Sequence, residues 1–209
     1  MKSIYHTSFS NQKVLIRVDF NVPLNSEKKV TDTSRIVAAK KTIDKITNDG
    51  GTAILMSHLG RPDGNDPDLS LSHIVEAVED VLGKPILFSS QVIGKETLSI
   101  IKDSKPGQVV LLENLRYHKE EEKGDVSFAK ELSFLADSYV NDAFGTAHRA
   151  HASTSVVAGF FKENKYAGDL LLKEVDSIKK VIDDGKKPVL AILGGAKVSS
   201  KITIINNII

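Results

Sequence analysis

Val14-Leu15-Ile16-Arg17-Val18 is followed directly by Asp19-Phe20-Asn21-Val22-Pro23, and this segment indicates the fold class. A short run of β-branched and aliphatic residues predicts a buried strand, and the proline predicts that this strand ends in a loop. Downstream, isoleucines recur at helical spacing over residues 36–46 until Gly50-Gly51 ends the pattern. A second apolar run at residues 52–56 completes a strand, loop, helix and strand, which is the repeating unit of a parallel sheet.

The same alternation continues through most of the chain. Further strands are predicted by the apolar runs at residues 86–88, 108–112 and 138–140. Residues 31–33 and Ser72 are candidate helix N-caps, and the charge run at residues 119–123 is interpreted as a solvated loop. The sequence therefore predicts an α/β fold: a Rossmann-like, three-layer arrangement in which a parallel sheet carries helices on both faces.

The pattern changes near residue 170. Leu171, Val175, Ile178 and Ile182 place an apolar stripe on one longer helix, which is typical of a connector. One further strand is predicted at residues 188–193, and a helix is predicted to begin at Ala196. A single strand and a single helix cannot bury their apolar faces without further elements. We therefore predict a first domain over residues 1–169, an interdomain helix over 170–186 and the incomplete start of a second domain over 187–209.

The composition limits the classes of function. The chain has 209 residues, of which 41% are hydrophobic and 26% are charged, so it can bury a substantial core. The net charge of +1 gives no overall field that would recruit nucleic acid, and no apolar run is long enough to span a membrane. The absence of cysteine excludes disulfides and thiolate metal sites. We expect a cytoplasmic protein that binds neither nucleic acid nor membranes.

Polar side chains follow the predicted strands at one edge of the sheet, where ligands of open parallel sheets bind. The candidates are Asp19, Asn21, Arg35, His58, Arg61, Arg116 and Arg149. Guanidiniums held close together repel one another and require an anion, which they bind as bidentate forks when it is a phosphate or carboxylate. The sequence predicts a site for a small polyanion that carries a phosphate. His148 and His151 have no obvious third ligand nearby, so we predict no metal site there.

Long motifs along the whole chain resemble those of phosphoglycerate kinases. In order, they are Arg17-Val-Asp19-Phe-Asn21-Val-Pro23, Ser57-His-Leu-Gly-Arg61-Pro62, Leu112-Glu-Asn-Leu-Arg116-Tyr, Asn141-Asp-Ala-Phe-Gly-Thr-Ala-His148-Arg149-Ala-His151 and Leu193-Gly-Gly-Ala-Lys197-Val. The resemblance implies a monomeric enzyme of glycolysis and gluconeogenesis that interconverts 1,3-bisphosphoglycerate with ADP and 3-phosphoglycerate with ATP. It also implies Mg²⁺ with the nucleotide, phosphoglycerate on the N-terminal domain and the nucleotide on the C-terminal one.

The resemblance also implies roles for individual residues. The 3-phosphate would be bound by His58, Arg61, Arg116 and Arg149, and the hydroxyl and carboxylate end by Asp19, Asn21 and Arg35. The nucleotide would be bound by Gly194, Gly195, Ala196, Lys197 and Lys201, with Arg35 and Lys201 catalytic. The family's magnesium ligand is expected outside this chain. We therefore expect the isolated chain to bind 3-phosphoglycerate without turnover. The alternatives are a stand-alone module that binds small polyanions without kinase activity, and a scaffold protein whose basic edge is only surface.

Overall fold

The structure is a computed structural model that describes residues 2–183. Within them the chain forms a sheet of six parallel strands in the order β3-β4-β2-β1-β5-β6. The strands are β1 (Lys13–Arg17), β2 (Thr52–Met56), β3 (Ile86–Phe88), β4 (Val109–Leu111), β5 (Ser138–Asn141) and β6 (Lys165–Ala167). The helices are α1 (Ser34–Asn48), α2 (Val75–Leu82), α3 (Lys95–Asp103), α4 (Lys119–Lys123), α5 (Val126–Ser133) and α6 (Asp169–Asp183).

Alternating residues of the central strands build a core on each face of the sheet. In β1, Val14 and Ile16 belong to one buried cluster with Ile43 of α1, whereas Leu15 belongs to a second cluster with Phe128 of α5. Helices α1 and α2 contribute to the first cluster, and α3 and α5 to the second. Strands that are buried on both faces appear in a sequence as continuous apolar runs. The central strands could therefore be predicted from such runs. The predicted parallel sheet with helices on both faces is confirmed.

The strand register brings the loops that follow the strands to one edge. Arg17 at the end of β1 is aligned with Met56 of β2 and with Asn141 of β5. Leu55 of β2 is aligned with Leu111 at the end of β4. The loops after β1, β2, β4 and β5 therefore leave the sheet together, as the sequence predicts.

The chain divides into two compact units, residues 1–172 and 173–209. Helix α6 begins at Asp169, close to the predicted start of the connector helix at residue 170. The predicted boundaries at residues 169 and 186 stay predictions, and residues 187–209 lie outside the described part of the chain. None of the described helices is both long enough and apolar enough to cross a membrane.

Two local predictions were wrong. Residues 119–123 form the short helix α4 and not a solvated loop, and one of their glutamates, Glu121, is buried. Ser72 caps no helix, since the Ser70 side chain caps a 3-10 turn that precedes α2. The N-cap position predicted within residues 31–33 is confirmed at Thr33, although the Thr33 side chain makes no capping hydrogen bond. Strand β6 was not predicted at all, because three residues at a sheet edge, two of them polar or amphipathic, carry almost no apolar pattern.

Candidate functional site

The loop after β2, which carries His58 and Arg61, is tied to the loops after its neighbouring strands. The backbone N–H of Phe20 donates to Ser57 Oγ at 2.8 Å, and that of Gly60 donates to Asn21 Oδ1 at 2.8 Å. The N–H of Leu115, after β4, donates to the Ser57 carbonyl at 3.0 Å. Loops from β1, β2 and β4 thus form one hydrogen-bonded assembly at the carboxyl edge of the sheet.

Asn114 is the buried centre of this assembly, and sequence reasoning gave it no role. Its side-chain amide donates to the carbonyls of Leu59 and Leu69, each at 2.8 Å. Its Oδ1 accepts from the N–H of Leu59 at 3.2 Å and from that of Arg116 at 3.0 Å. The available signal was weak: Asn114 lies two residues beyond the predicted apolar strand at residues 108–112, and a buried amide must be hydrogen-bonded.

Arg116 is held in place by the loop after β2. Its Nη1 donates to the Gly60 carbonyl at 2.6 Å, and its Nη2 forms an ion pair with Glu122 Oε1 at 3.0 Å. Gly60 has a positive φ of 60°, and a Cβ there would lie 2.7 Å from a methyl carbon of Leu69. A left-handed glycine is therefore required to present this carbonyl to the arginine.

Asp19 links the first loop to α1 and to the loop after β5. Its carboxylate forms an ion pair with Arg35, at the start of α1, and accepts from the N–H of Asn21 at 3.3 Å. A Cβ on Gly145 would lie 3.4 Å from Asp19 Oδ2, so the loop after β5 passes beside the same carboxylate. The Asn21 Nδ2 donor has no hydrogen-bond partner among residues 2–183.

Arg61 and Arg149 supply positive charge that the described residues do not neutralise by contact. Both side chains are exposed, and within the described part of the chain neither guanidinium makes a hydrogen bond or an ion pair. Burial lowers the pKa of Arg116, Glu122 raises it, and the nearby charges of Arg149 and Arg61 lower it again. The positive charges of these three arginines therefore lie close enough to act on one another.

His58 lies among these arginines as a neutral imidazole. It is only 5% exposed, and its Nδ1 lies 3.2 Å from Arg17 Nη2. Burial, followed by the charges of Arg17, Arg116, Arg35 and Arg149, lowers the pKa of His58 to about 2. The predicted site residues after β1, β2, β4 and β5 are thus brought together, with His58 as an uncharged member of the group.

Arg17, a strand residue for which no site role was predicted, connects the site to the second buried cluster. It is 1% exposed, and its Nε donates to Ser153 Oγ at 2.8 Å. Ser153 in turn contacts the buried carboxylate of Glu121. No local pattern in the sequence indicates this connection, because its three members come from β1, α4 and the turn after β5.

Comparisons with known proteins show which family the chain belongs to. A family model described as phosphoglycerate kinase matches residues 4–209. The chain belongs to the phosphoglycerate kinase family. It is 45% identical to the phosphoglycerate kinase of Porphyromonas gingivalis, over 99% of this chain and 55% of that protein. It is 49% identical to that of Moorella thermoacetica, over 96% of this chain and 50% of that protein.

Solved structures of phosphoglycerate kinases agree with the fold. The structure from Coxiella burnetii matches with a TM-score of 0.84 at 35% identity and covers 98% of this chain and 51% of its own. That from Pyrococcus horikoshii OT3 matches with a TM-score of 0.86 at 28% identity and covers 99% of this chain and 52% of its own. The chain thus spans about half the length of the phosphoglycerate kinases it matches.

The described residues contain no cluster of side chains suited to a metal ion. Among residues 2–183, no group of three or more His, Asp or Glu side chains is placed to hold a metal ion. Magnesium is therefore assigned to no described side chain. The predicted nucleotide-binding residues Gly194, Gly195, Ala196, Lys197 and Lys201 lie outside the described part of the chain.

Proposed function

We propose that this chain carries the 3-phosphoglycerate-binding part of a phosphoglycerate kinase, which transfers a phosphoryl group between ATP and the carboxylate of 3-phosphoglycerate. Family membership supports the reaction class. The observation that carries the substrate assignment is the group of positive charges from Arg35, Arg116 and Arg149 around the buried His58. A small anion with a phosphate at one end and a carboxylate at the other matches guanidiniums that come from both sides of β1.

The side chains divide into fixed and available groups. Arg116 is already held by Gly60 and Glu122, so it presents a set geometry. Arg61 and Arg149 make no polar side-chain contact within residues 2–183 and are exposed, so they are free to close on a phosphate. We assign the 3-phosphate to these arginines and to His58, and the hydroxyl and carboxylate end to Asp19, Asn21 and Arg35.

The chemistry of the proposed reaction suits a site without a general base. A carboxylate acceptor is already ionised at neutral pH, so no proton has to be removed before it attacks phosphorus. Catalysis then depends on positioning and on neutralising the charge of the transferred group. We propose that Arg35, with its side chain half exposed beside Asp19, faces that group from the acceptor side.

The remaining assignments concern the complete enzyme. We propose that Lys197, Lys201 and the turn formed by Gly194, Gly195 and Ala196 bind ADP or ATP, with Lys201 also catalytic and Mg²⁺ supplied with the nucleotide. The enzyme is proposed to be a cytoplasmic monomer that binds neither nucleic acid nor membranes. Because the chain spans about half of its relatives, we propose that it binds 3-phosphoglycerate alone but does not transfer phosphoryl groups.

Isothermal titration calorimetry of this chain with 3-phosphoglycerate tests the proposal. Arg61→Ala should weaken binding about 10-fold or more, since a charge-assisted hydrogen bond is lost, and added salt should weaken it further. Lys102→Ala is the matched control, because this exposed lysine lies in the last turn of α3, where the Ile101 carbonyl accepts from Lys13 at the opposite edge of the sheet. An absence of heat at low salt would overturn the substrate assignment.

Two further results separate the alternatives. Equal affinity for inorganic phosphate, sulfate and 3-phosphoglycerate would favour the stand-alone polyanion module. A coupled assay in which this chain alone converts 3-phosphoglycerate and ATP to products would contradict the proposed lack of turnover.

A further inference from the structure

Glu121 is a buried carboxylate within a run of charged residues. It is 1% exposed, whereas its neighbours Glu120 and Glu122 are exposed. Both of its oxygens have partners: Oε2 accepts from the N–H of Ser153 at 2.9 Å, and Oε1 accepts from Ser153 Oγ at 2.5 Å. Burial of a carboxylate is unfavourable unless the carboxylate is paired. Glu121 is therefore held in its buried position by the two hydrogen bonds from Ser153.

Ser153 connects Glu121 to Arg17. It lies in the π-helical turn Ala152–Val156, and its Oγ accepts from Arg17 Nε at 2.8 Å while donating to Glu121. A hydroxyl has one proton, so the two contacts fix its direction: the proton goes to the carboxylate and a lone pair goes to the guanidinium. The buried negative charge of Glu121 also favours the charged form of the buried Arg17.

Arg17 in turn determines where the proton of His58 resides. Its Nη2 lies 3.2 Å from His58 Nδ1. A guanidinium has only donors, so Nδ1 must be the acceptor and must carry no proton. The charges of Arg116, Arg35 and Arg149 disfavour a second proton on the ring. The single proton is therefore on Nε2, which has no hydrogen-bond partner among residues 2–183.

We propose that Glu121 and Ser153 are positioning residues which act through Arg17 to hold His58 as the Nε2–H tautomer, so that the imidazole donates a hydrogen bond to the bound anion. The donation to 3-phosphoglycerate rests on the proposed function, but the tautomer does not. This arrangement supplies a directed donor without adding a further positive charge to a group of arginines that already repel one another.

Long-range ¹H–¹⁵N NMR of the imidazole nitrogens in the full chain tests the tautomer without any ligand. In the unmodified chain, His58 is expected to show an unprotonated Nδ1 and a protonated Nε2 across neutral pH. Glu121→Gln and Ser153→Ala are each expected to give a mixture of the two tautomers. Glu120→Gln, on the exposed side of the same helix, is the matched control and should leave the spectrum unchanged.

The outcomes are decisive even if one variant does not fold. A proton on Nδ1, or a mixture, in the unmodified chain overturns the proposal without any variant. Unchanged tautomers in a folded Glu121→Gln or Ser153→Ala chain overturn it as well. Calorimetry adds the functional part: both variants should bind 3-phosphoglycerate about 5- to 20-fold more weakly, as expected for losing one directed hydrogen bond. If the unmodified chain shows the expected tautomer but does not bind 3-phosphoglycerate, the proposed function fails while the positioning chain stands.

Discussion

Asn114 shows how much one buried side chain contributes to the site. Asn114→Ala leaves the backbone groups of Leu59 and the Leu69 carbonyl without their partner, and each buried polar group left unsatisfied costs about 1–3 kcal/mol. We expect the free energy of unfolding, measured by urea denaturation, to fall by about 2–4 kcal/mol.

Asn114→Asp gives the matched comparison. It keeps the shape of the side chain but places carboxylate oxygens against the carbonyls of Leu59 and Leu69. We expect it to be at least as destabilising as Asn114→Ala. A variant close to the stability of the unmodified chain would show that these hydrogen bonds are not important.

Gly168 has no room for a side chain. A Cβ at this position would lie 2.2 Å from Asp142 Oδ1 and 2.7 Å from its Cβ, so an alanine would displace a buried residue after β5. Gly168→Ala is expected to lower the free energy of unfolding by about 2 kcal/mol or more. Gly159→Ala is the control, because nothing lies within 4 Å of the Cβ that it would add. It should be neutral or stabilising by up to about 1 kcal/mol, and equal effects of the two substitutions in thermal unfolding would contradict the packing argument.

At the scale of elements, the helix caps differ in a way that can be measured. Asp125 caps α5 with a hydrogen bond from the Phe128 N–H to its Oδ1 at 2.8 Å, whereas Thr33 of α1 makes none. Asp125→Ala should therefore lower the free energy of unfolding by about 1 kcal/mol, and Thr33→Ala should change it by only a few tenths. The opposite order in urea denaturation would show that the cap geometry does not govern these helix ends.

The sequence predicted the buried elements well because burial on both faces leaves a continuous apolar signature. Strands β1 to β5 were predicted within one or two residues of their bounds. The elements that were missed depend on contacts with distant residues. Helix α4 reads as a solvated charge run because nothing nearby reveals that Ser153 pairs with Glu121.

The same limit applies to the candidate site. The rule that ligands bind beyond the carboxyl ends of parallel strands predicts from the sequence that Asp19, His58, Arg61 and Arg116 are neighbours. The rule could not identify the buried residues that hold the loops and side chains of the site in position. Asn114 and Arg17 are fixed by hydrogen bonds to other loops, and no spacing in the sequence encodes them.

At the scale of the whole molecule, the stability should depend on pH through the buried Asp142. Burial raises the pKa of Asp142 to about 7, although hydrogen bonds from Thr42 and Leu171 lower it, and the charge of Asp169 raises it further. An aspartate in the unfolded chain has a pKa of about 3.9. Between about pH 4 and 7 the unfolded chain therefore loses this proton while the folded chain keeps it, so stability falls as the pH rises.

Asp142→Asn should remove this dependence. Its stability relative to the unmodified chain should increase from pH 4 to pH 7, by at most about 4 kcal/mol, since one pKa unit corresponds to about 1.4 kcal/mol. Urea denaturation across this pH range measures the difference. A difference that does not change with pH would show that Asp142 does not titrate as an isolated buried acid.

His58 should act in the opposite direction. Its folded-state pKa of about 2 lies below the unfolded value near 6.5, so stability is lost as the pH falls below about 6.5. His58→Gln should therefore gain stability relative to the unmodified chain as the pH decreases, whereas Asp142→Asn gains as it increases. If the stability of both variants, relative to the unmodified chain, changed with pH in the same direction, then the direction of the pKa shift given for His58 or for Asp142 would be wrong.

The position of β1 in the sheet also has a consequence for the order of folding. Strand β1 pairs with β2, the next strand along the chain, and with β5, which comes only after β2, β3 and β4 in the sequence. Closing the longer loop loses more entropy, so β1 and β2 are expected to pair early and β5 to dock late. His58 and Arg61 follow β2, while Arg149 and Ser153 follow β5. The appearance of anion binding during refolding should therefore mark the last docking step, not the initial collapse of the chain.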